Sequence, residues 1–477
     1  MLRRKSLNRG VGDMNVELNR RDRAKIAATK PIVKGLFGAL PHFSEGAVKG
    51  IMRKLYGEQG YPEGQKFIEK VFATLRHVFR EANPNCKRAI IQNMIINEGI
   101  VGTRKRNTLT REVGFDIPVL VVVSPTERCP LRCYGCYAAE HPSEHDLSFE
   151  AFDRMITQAK AMGIYFFVIT GGEPYIYDHM FEIFEKHSDC YFQTYTSGVT
   201  LAEREGDVER LARLGNVLPC ISVEGFEEET DRRRGKGHFK KIEKAMAKLR
   251  EAGVPFGFSG TVTRENNDMM LSDELVDYYL GLGCRVGYYF QYMPIGREPV
   301  FDLVPTPEQR MYRYDRILKL REEKPILLAD FWCDGPLVGG CLAGGRRYLH
   351  VNNQGHAEPC VFAQAYDMNI YENSLFEILR DSKLFRAVRR RQPYTDNLLR
   401  PCMIIDVPEC WREAIEESGA TLSHGAADNV AKDLRGKIEG LSKEFAGMAD
   451  PVWEEKYEKA YRKSNDYVKS MRDKFSQ

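Results

Sequence analysis

The sequence of 477 residues has no run of eighteen or more apolar residues, which excludes an ordinary membrane-spanning helix. Its first residues, Met1-Leu-Arg-Arg-Lys-Ser6, lack the apolar core of a secretion signal, so a cytoplasmic protein is expected. An excess of one charge sign is lacking too. With 70 Lys and Arg against 67 Asp and Glu, the net +3 gives no whole-molecule case for a nucleic-acid partner, and none is expected. A disulfide scaffold does not suit a chain without a signal, so the twelve cysteines point to metal or redox chemistry. With 43% hydrophobic and 29% charged residues, the chain is long enough for two or three domains.

Residues 1–30 form a basic, apolar-poor arm, read as solvated, with a surface for an acidic partner or anionic lipid as the functional alternative. From 31 to 115 the pattern is helical. Ile32, Val33, Leu36, Phe37 and Leu40 share a face, Phe67, Val71, Leu75, Val78 and Phe79 repeat the signal, and Ile90, Ile91, Met94 and Ile95 mark a third helix. Core packing is the default for these stripes. An interfacial helix at 31–43, and with it peripheral membrane contact, is the alternative. No catalytic constellation stands out there.

From 116 to 300 strand-like and helix-like segments alternate. Strands are expected at Val119–Ser124, Tyr165–Thr170, Tyr191–Thr196, Val217–Val223, Pro255–Val262 and Val286–Met293, with helices near 148–162, 178–187, 200–214, 238–252 and 271–283. Such alternation implies a parallel sheet, and six units an α/β fold of partial (β/α)6, TIM-like barrel type with its chemistry at the strand carboxyl ends. The motifs obey that rule. Cys129-Pro-Leu-Arg-Cys133-Tyr-Gly-Cys136 follows the first strand, Gly171-Gly172-Glu173-Pro174 the second, Thr196-Ser197-Gly198 the third and Ser222-Val223-Glu224-Gly225 the fourth. Three thiols at this spacing suit an iron–sulfur cluster, and a zinc site completed by His141 or His145 is the bland alternative.

The C-x3-C-x2-C spacing, followed by Gly-Gly-Glu-Pro in the right order, resembles the radical S-adenosylmethionine (SAM) superfamily over residues 118–296. The resemblance implies that Cys129, Cys133 and Cys136 hold three irons of a [4Fe–4S] cluster whose fourth iron chelates SAM. It implies that Gly171, Gly172, Glu173 and Pro174 hold the methionyl amine, that Ser197, Ser222 and Glu224 contact SAM, and that Arg234 pairs with the methionyl carboxylate. Many members carry an aromatic residue just before the third cysteine. Gly135 stands there in this chain and offers only its backbone. The implied reaction is reductive cleavage of SAM to a 5′-deoxyadenosyl radical that abstracts hydrogen from an unactivated C–H bond.

Beyond Arg297 the barrel pattern stops, and Pro305-Thr-Pro307 leads into a charged helix ending near Glu323. Over 301–420, Cys341-x13-Gly355-x4-Cys360 resembles the auxiliary-cluster half-motif of SPASM and twitch extensions, in a small α+β domain. Tyr348–Asn352 and the segment before Cys360 form its hairpin. Cys402 is the next candidate thiolate, and Cys333 or Cys410 a fourth. A hairpin with free cysteines or zinc is the alternative. Cys86, Cys190, Cys220 and Cys284 lie in apolar patterns and read as core. Residues 421–477 form a charged helical tail, where Trp453, Tyr457 and Tyr461 make a docking stripe. The expected partners are SAM, an electron donor such as ferredoxin or flavodoxin, and a peptide substrate. A lipid-like or small-metabolite substrate and a non-catalytic metal scaffold are the competing readings. Tyr288, Tyr289, Gln291, Tyr292 and His350 are candidates to line the mouth, and the catalytic residues are not legible.

Overall fold

The β-branched run Leu120–Val123 forms β1, and β2 (Phe166–Ile169), β3 (Tyr191–Thr196), β4 (Val217–Val223), β5 (Gly257–Val262) and β6 (Val286–Gln291) follow it. Each is hydrogen-bonded in parallel to its successor. This is the expected partial barrel of six β/α units. The computed structural model describes residues 16–44, Gly46, Gly50 and 62–463, other than 140, 429 and 431. Arg3, Arg4, Lys5 and Arg9 of the basic arm and residues 464–477 of the tail lie outside the described residues.

The intervening helices run over Phe149–Met162, Met180–Lys186, His238–Glu251 and Asp273–Leu282, while the one expected at 200–214 is two, Val199–Glu203 and Asp207–Leu214. Glu227–Arg234 is a further helix. It has no apolar period to betray it. Its acids in the first turn and arginines in the last complement the helix dipole instead.

A partial barrel leaves two strand edges open. Both are covered here. Beyond β6, helix Pro307–Glu323 leads to β7 (Leu327–Asp330), parallel to β6, so the β/α pattern continues past Arg297. On the other side β8 (Tyr348–Val351) pairs in parallel with β1, and β9 (Ala357–Glu358) returns antiparallel to β8. The result is a sheet of nine strands ordered β7-β6-β5-β4-β3-β2-β1-β8-β9. The hairpin carrying Cys360 is therefore part of the same sheet as the loop carrying Cys129.

Among the N-terminal helices, Arg20–Ala39 packs Phe37 on Phe72 and Phe79, with ring centroids 5.8 and 6.2 Å apart. Ile32 leaves the expected stripe and is 69% exposed, whereas Phe37 and Leu40 are buried. The apolar face of this helix is thus used within the protein. Among the described residues no helix is long and apolar enough to cross a membrane. At the other end Trp453 and Tyr457 are buried, and Tyr457 meets Tyr314 of helix Pro307–Glu323 at 5.5 Å.

That helix looks solvated in sequence but buries Arg310, Arg313 and Arg321. Arg310 donates to Asp406 Oδ1 at 2.5 Å and lies over the Phe445 ring. Asp406 Oδ2 in turn accepts the Cys402 N–H at 2.9 Å. Breaking a buried pair from one side leaves an uncompensated charge, which costs about 3–5 kcal/mol. Arg310→Met is therefore expected to lower the urea unfolding free energy by about that amount. Arg310→Met with Asp406→Asn, which keeps an acceptor for Cys402, is expected to restore at least half.

Candidate active site

The loop after β1 brings Cys129, Cys133 and Cys136 close enough to interact electrostatically with one another. The backbone N–H groups of Leu131 and Ala138 lie near enough to Cys129 and Cys136 to favour their thiolates. In the second set the amides bond the sulfurs outright. Ala343 N–H donates to Cys341 Sγ at 3.5 Å, Phe362 N–H to Cys360 Sγ at 3.5 Å and Ile404 N–H to Cys402 Sγ at 3.4 Å. Amide donors two residues on are what a thiolate ligand needs. Burial pushes the Cys360 thiol up to about 11, so forming a thiolate there calls for a cation that displaces the proton, whereas Cys129 is exposed.

The glycines of Gly171-Gly172-Glu173-Pro174 serve the cysteine loop first. A Cβ at Gly172 would stand 2.3 Å from the Arg128 carbonyl oxygen, and one at Gly171 2.3 Å from that of Thr126. This closeness lets Gly172 N–H donate to Thr126 O and Glu173 N–H to Arg128 O, both at 2.9 Å. Glu173 itself is fully buried. Its Oε1 accepts from Thr196 Oγ1 at 2.6 Å and from Tyr175 N–H at 3.4 Å, and its Oε2 accepts from Ser197 N–H at 2.8 Å and Ser197 Oγ at 2.5 Å. These four donors match the capacity of a carboxylate. Glu173 and Ser197, expected to contact SAM separately, are bonded to each other.

Glu224 and Arg234 are likewise joined. Glu224 is buried and Arg234 half-buried, and Glu224 Oε1 accepts from Arg234 Nε at 3.0 Å and Nη2 at 2.5 Å, while Arg233 Nη1 donates to Oε2 at 2.6 Å. Arg234 is thus no solvated loop residue but the last turn of a helix. Arg233 also reaches the Tyr134 carbonyl at 3.4 Å, tying this cluster to the cysteine loop. Its role was hidden because three consecutive arginines give no sign of which two turn inward. Ser222 meets Ser259 of β5 at 3.4 Å.

Gly135 has φ 63°, and the Tyr292 ring lies 2.6 Å from where its Cβ would be. The aromatic ring at this place comes from the end of β6, and of the candidate mouth residues Tyr292 is the one on the cysteine loop. Arg297 N–H donates to the Cys136 carbonyl at 3.0 Å. Tyr137 bonds Thr170 Oγ1 at 2.9 Å and packs edge-on against Phe362, 5.1 Å away, linking the two cysteine sets.

In the second set Tyr348 donates to Cys360 Sγ at 2.8 Å, and the Tyr348 hydroxyl feels Cys341 and Cys402 as well. Cys410 packs against the same apolar cluster as Cys341, Cys360 and Cys402. Cys333 belongs to another, with Tyr314 and Leu399, where it interacts with Arg313. Cys86, Cys190, Cys220 and Cys284 are buried, as their apolar surroundings predict. His141 stacks edge-on with His424 at 4.4 Å, and among the described residues no three His, Cys, Asp or Glu side chains gather for a single metal ion. His350, a candidate mouth residue, is instead buried between Ser124 at 2.7 Å and Glu358 at 2.6 Å.

A sequence model of the radical SAM superfamily matches residues 123–275. The chain is 30% identical over 285 residues to the sporulation killing factor maturation protein SkfB of Bacillus subtilis, covering 57% of this chain and 67% of that protein. It is 27% identical over 325 residues to the PqqA peptide cyclase of Rhizobium meliloti, covering 63% and 84%. Among solved structures, Streptococcus suis SuiB bound to S-adenosylmethionine superposes with a TM-score of 0.52 at 18% identity, covering 64% of this chain and 77% of that one.

Two outcomes are expected from this geometry. Gly172→Ala forces the Arg128 carbonyl away, so anaerobically reconstituted protein should hold markedly less iron at unchanged far-ultraviolet circular dichroism, whereas Gly440→Ala, which meets nothing within 4 Å, should match wild type. His238, buried beside Arg234, is held down to about 4 by burial first and by Arg234 next. The unfolded chain takes up that proton near 6.5, so stability falls as pH drops through 6.5 towards 4, by about 2 kcal/mol at pH 5. Urea unfolding of His238→Phe should show a shallower acid dependence, by about one proton.

Proposed function

Because the chain belongs to the radical SAM superfamily, we propose that it is a peptide-modifying member with an auxiliary cluster on its second cysteine set. It is an enzyme that uses a [4Fe–4S] cluster and SAM. The finer reading rests on one observation: Cys341, Cys360 and Cys402 each accept a backbone amide on sulfur and pack, with Cys410, against one apolar cluster, apart from the Cys129, Cys133 and Cys136 loop. Peptide substrates are supported by relatives whose names make them a peptide cyclase and a killing-factor maturation protein.

The chemistry supplied by a bound cluster and SAM is one-electron reductive cleavage, giving methionine and a 5′-deoxyadenosyl radical that takes hydrogen from an unactivated C–H bond. The chain's residues do the rest. Cys129, Cys133 and Cys136 hold the first cluster, and the 171–174 loop fixes their loop from below. Glu173, saturated by neutral donors, keeps the 171–174 and 196–198 loops in register. Because that carboxylate's lone pairs are already met, backbone groups of those loops would hold the methionyl amine. Arg233 and Arg234 set positive charge beside Cys136 and Cys133, favouring both the thiolates and the methionyl carboxylate. Tyr292 covers the side of the loop left bare at Gly135. Cys341, Cys360 and Cys402 hold the auxiliary cluster, with Cys410 as fourth ligand in preference to Cys333. A low-potential carrier such as ferredoxin or flavodoxin supplies the electron.

The test is anaerobic reconstitution, reduction and SAM addition, with 5′-deoxyadenosine read by mass spectrometry. Wild type should form product and Cys133→Ala none. Iron should approach about eight per chain, and fall to about four in Cys360→Ala with Cys402→Ala. Metal uptake without product, with or without added peptide, would favour the scaffold reading.

A further inference from the structure

The chain turns a cluster of arginines towards an open concavity of about 590 Å³ far from the cysteine mouth. Arg346, Arg380, Arg386, Arg389 and Arg390 line it, with Phe115, Asp116 and Gln392. Phe115 and Asp116 precede β1 and Arg346 precedes β8, so the concavity lies at the amino ends of these parallel strands. The cysteine loop leaves β1 at its other end. Its volume is in the range of ligand-binding pockets, about 300–1,000 Å³.

Like charges gathered this closely repel, and only part of the charge is met within the chain. Arg380 forms a two-pronged pair with Asp381 at 2.9 and 2.5 Å, and Arg390 pairs with Glu417. Arg346, Arg386 and Arg389 make no ion pair among the described residues. They donate to carbonyl groups instead, of Cys341, Asp381 and Leu379 at 2.7, 3.0 and 2.7 Å. Arg389 Nη1 is buried with no partner, while its guanidinium lies 4.9 Å from the Phe115 ring centroid. Burial first, and Arg386 next, push the Arg389 guanidinium down to about 10, with Asp116 opposing them in part. An arriving oxyanion would relieve the repulsion and give exposed Arg386 a charged partner.

We propose that this arginine pocket binds an acidic segment of the peptide substrate, one bearing two or more carboxylates, and so anchors the substrate at a distance from the residue that reacts. This rests on the peptide-modifying reading above. Carboxylates are favoured over small phosphates because two of the lining arginines already pair with carboxylates, Arg380 with Asp381 in a fork and Arg390 with Glu417. The anchor also touches the second cysteine set. Arg346 Nη1 and Gln392 Nε2 both bond the Cys341 carbonyl, at 2.7 and 3.4 Å, so an occupied pocket braces the strand entry that carries Cys341.

The experiment uses the reconstituted full chain and fluorescein-labelled hexaglutamate, read by fluorescence anisotropy at low salt. Wild type should bind the probe, more weakly as salt rises. Arg386→Glu and Arg386→Gln change an exposed side chain that donates to a single carbonyl, and each should weaken binding by about tenfold or more. Arg232→Glu, an exposed arginine elsewhere, should bind as wild type. Absence of probe binding, or equal binding by the Arg386 variants, would overturn the proposal. So would tripolyphosphate binding at the pocket with hexaglutamate unable to displace it, the result expected of a small phosphate ligand. The same preparations are assayed for 5′-deoxyadenosine without peptide. Binding without any SAM cleavage would support the anchor and count against the catalytic reading, whereas cleavage without binding would do the reverse.

Discussion

Glu173 is the constraint on which the candidate site depends. A carboxylate that is fully buried must have its lone pairs met, and here that demand is met from one short segment, the Thr196-Ser197 turn, together with the Tyr175 amide. The bond ties the loop after β2 to the loop after β3. The backbone beside it, through Gly172 and Glu173, hangs the loop after β1 from its carbonyl oxygens. Three successive strand ends are thereby held by one side chain and two glycines.

A second buried carboxylate, Glu224, does for the fourth strand end what Glu173 does for the second and third, but with charge. Its two arginines come from one helix turn, and one of them reaches on to the cysteine loop. Neutral donors on one side and cations on the other give the cysteine loop an uneven field. The positive side lies by Cys133 and Cys136, where thiolates and an anionic cofactor group gain most from it.

The barrel was legible because its strands are β-branched runs between turn residues. β3 and β4 occupy the very residues that the pattern marks. What escaped has physical reasons. β7 is four residues long and follows a helix whose buried arginines look like a solvated face. The pairing of β8 with β1 joins residues more than two hundred apart, which no local period reports. Helix Glu227–Arg234 carries only charge. Ile32 sits next to Val33 in the chain but a turn's third away around the helix, so adjacency in the stripe did not mean burial. At the site, the cysteine spacing and the glycine motif were readable, because backbone geometry demands those residues. Which arginines turn inward was not, because a run of like side chains carries no phase. Nor was it readable that Glu173 and Ser197 satisfy each other.

Since β8 is hydrogen-bonded along the whole of β1, from Leu120 opposite Tyr348 to Val123 opposite Val351, the two cysteine sets belong to one hydrogen-bonded lattice. The spacing of the two strands beside these loops is a quantity that a folded sheet scarcely varies. The carboxyl end of β1 and the β8–β9 hairpin therefore cannot move apart independently of each other. A domain joined by a flexible linker would be free to swing away from the first. Here only the loss of the sheet itself would part them.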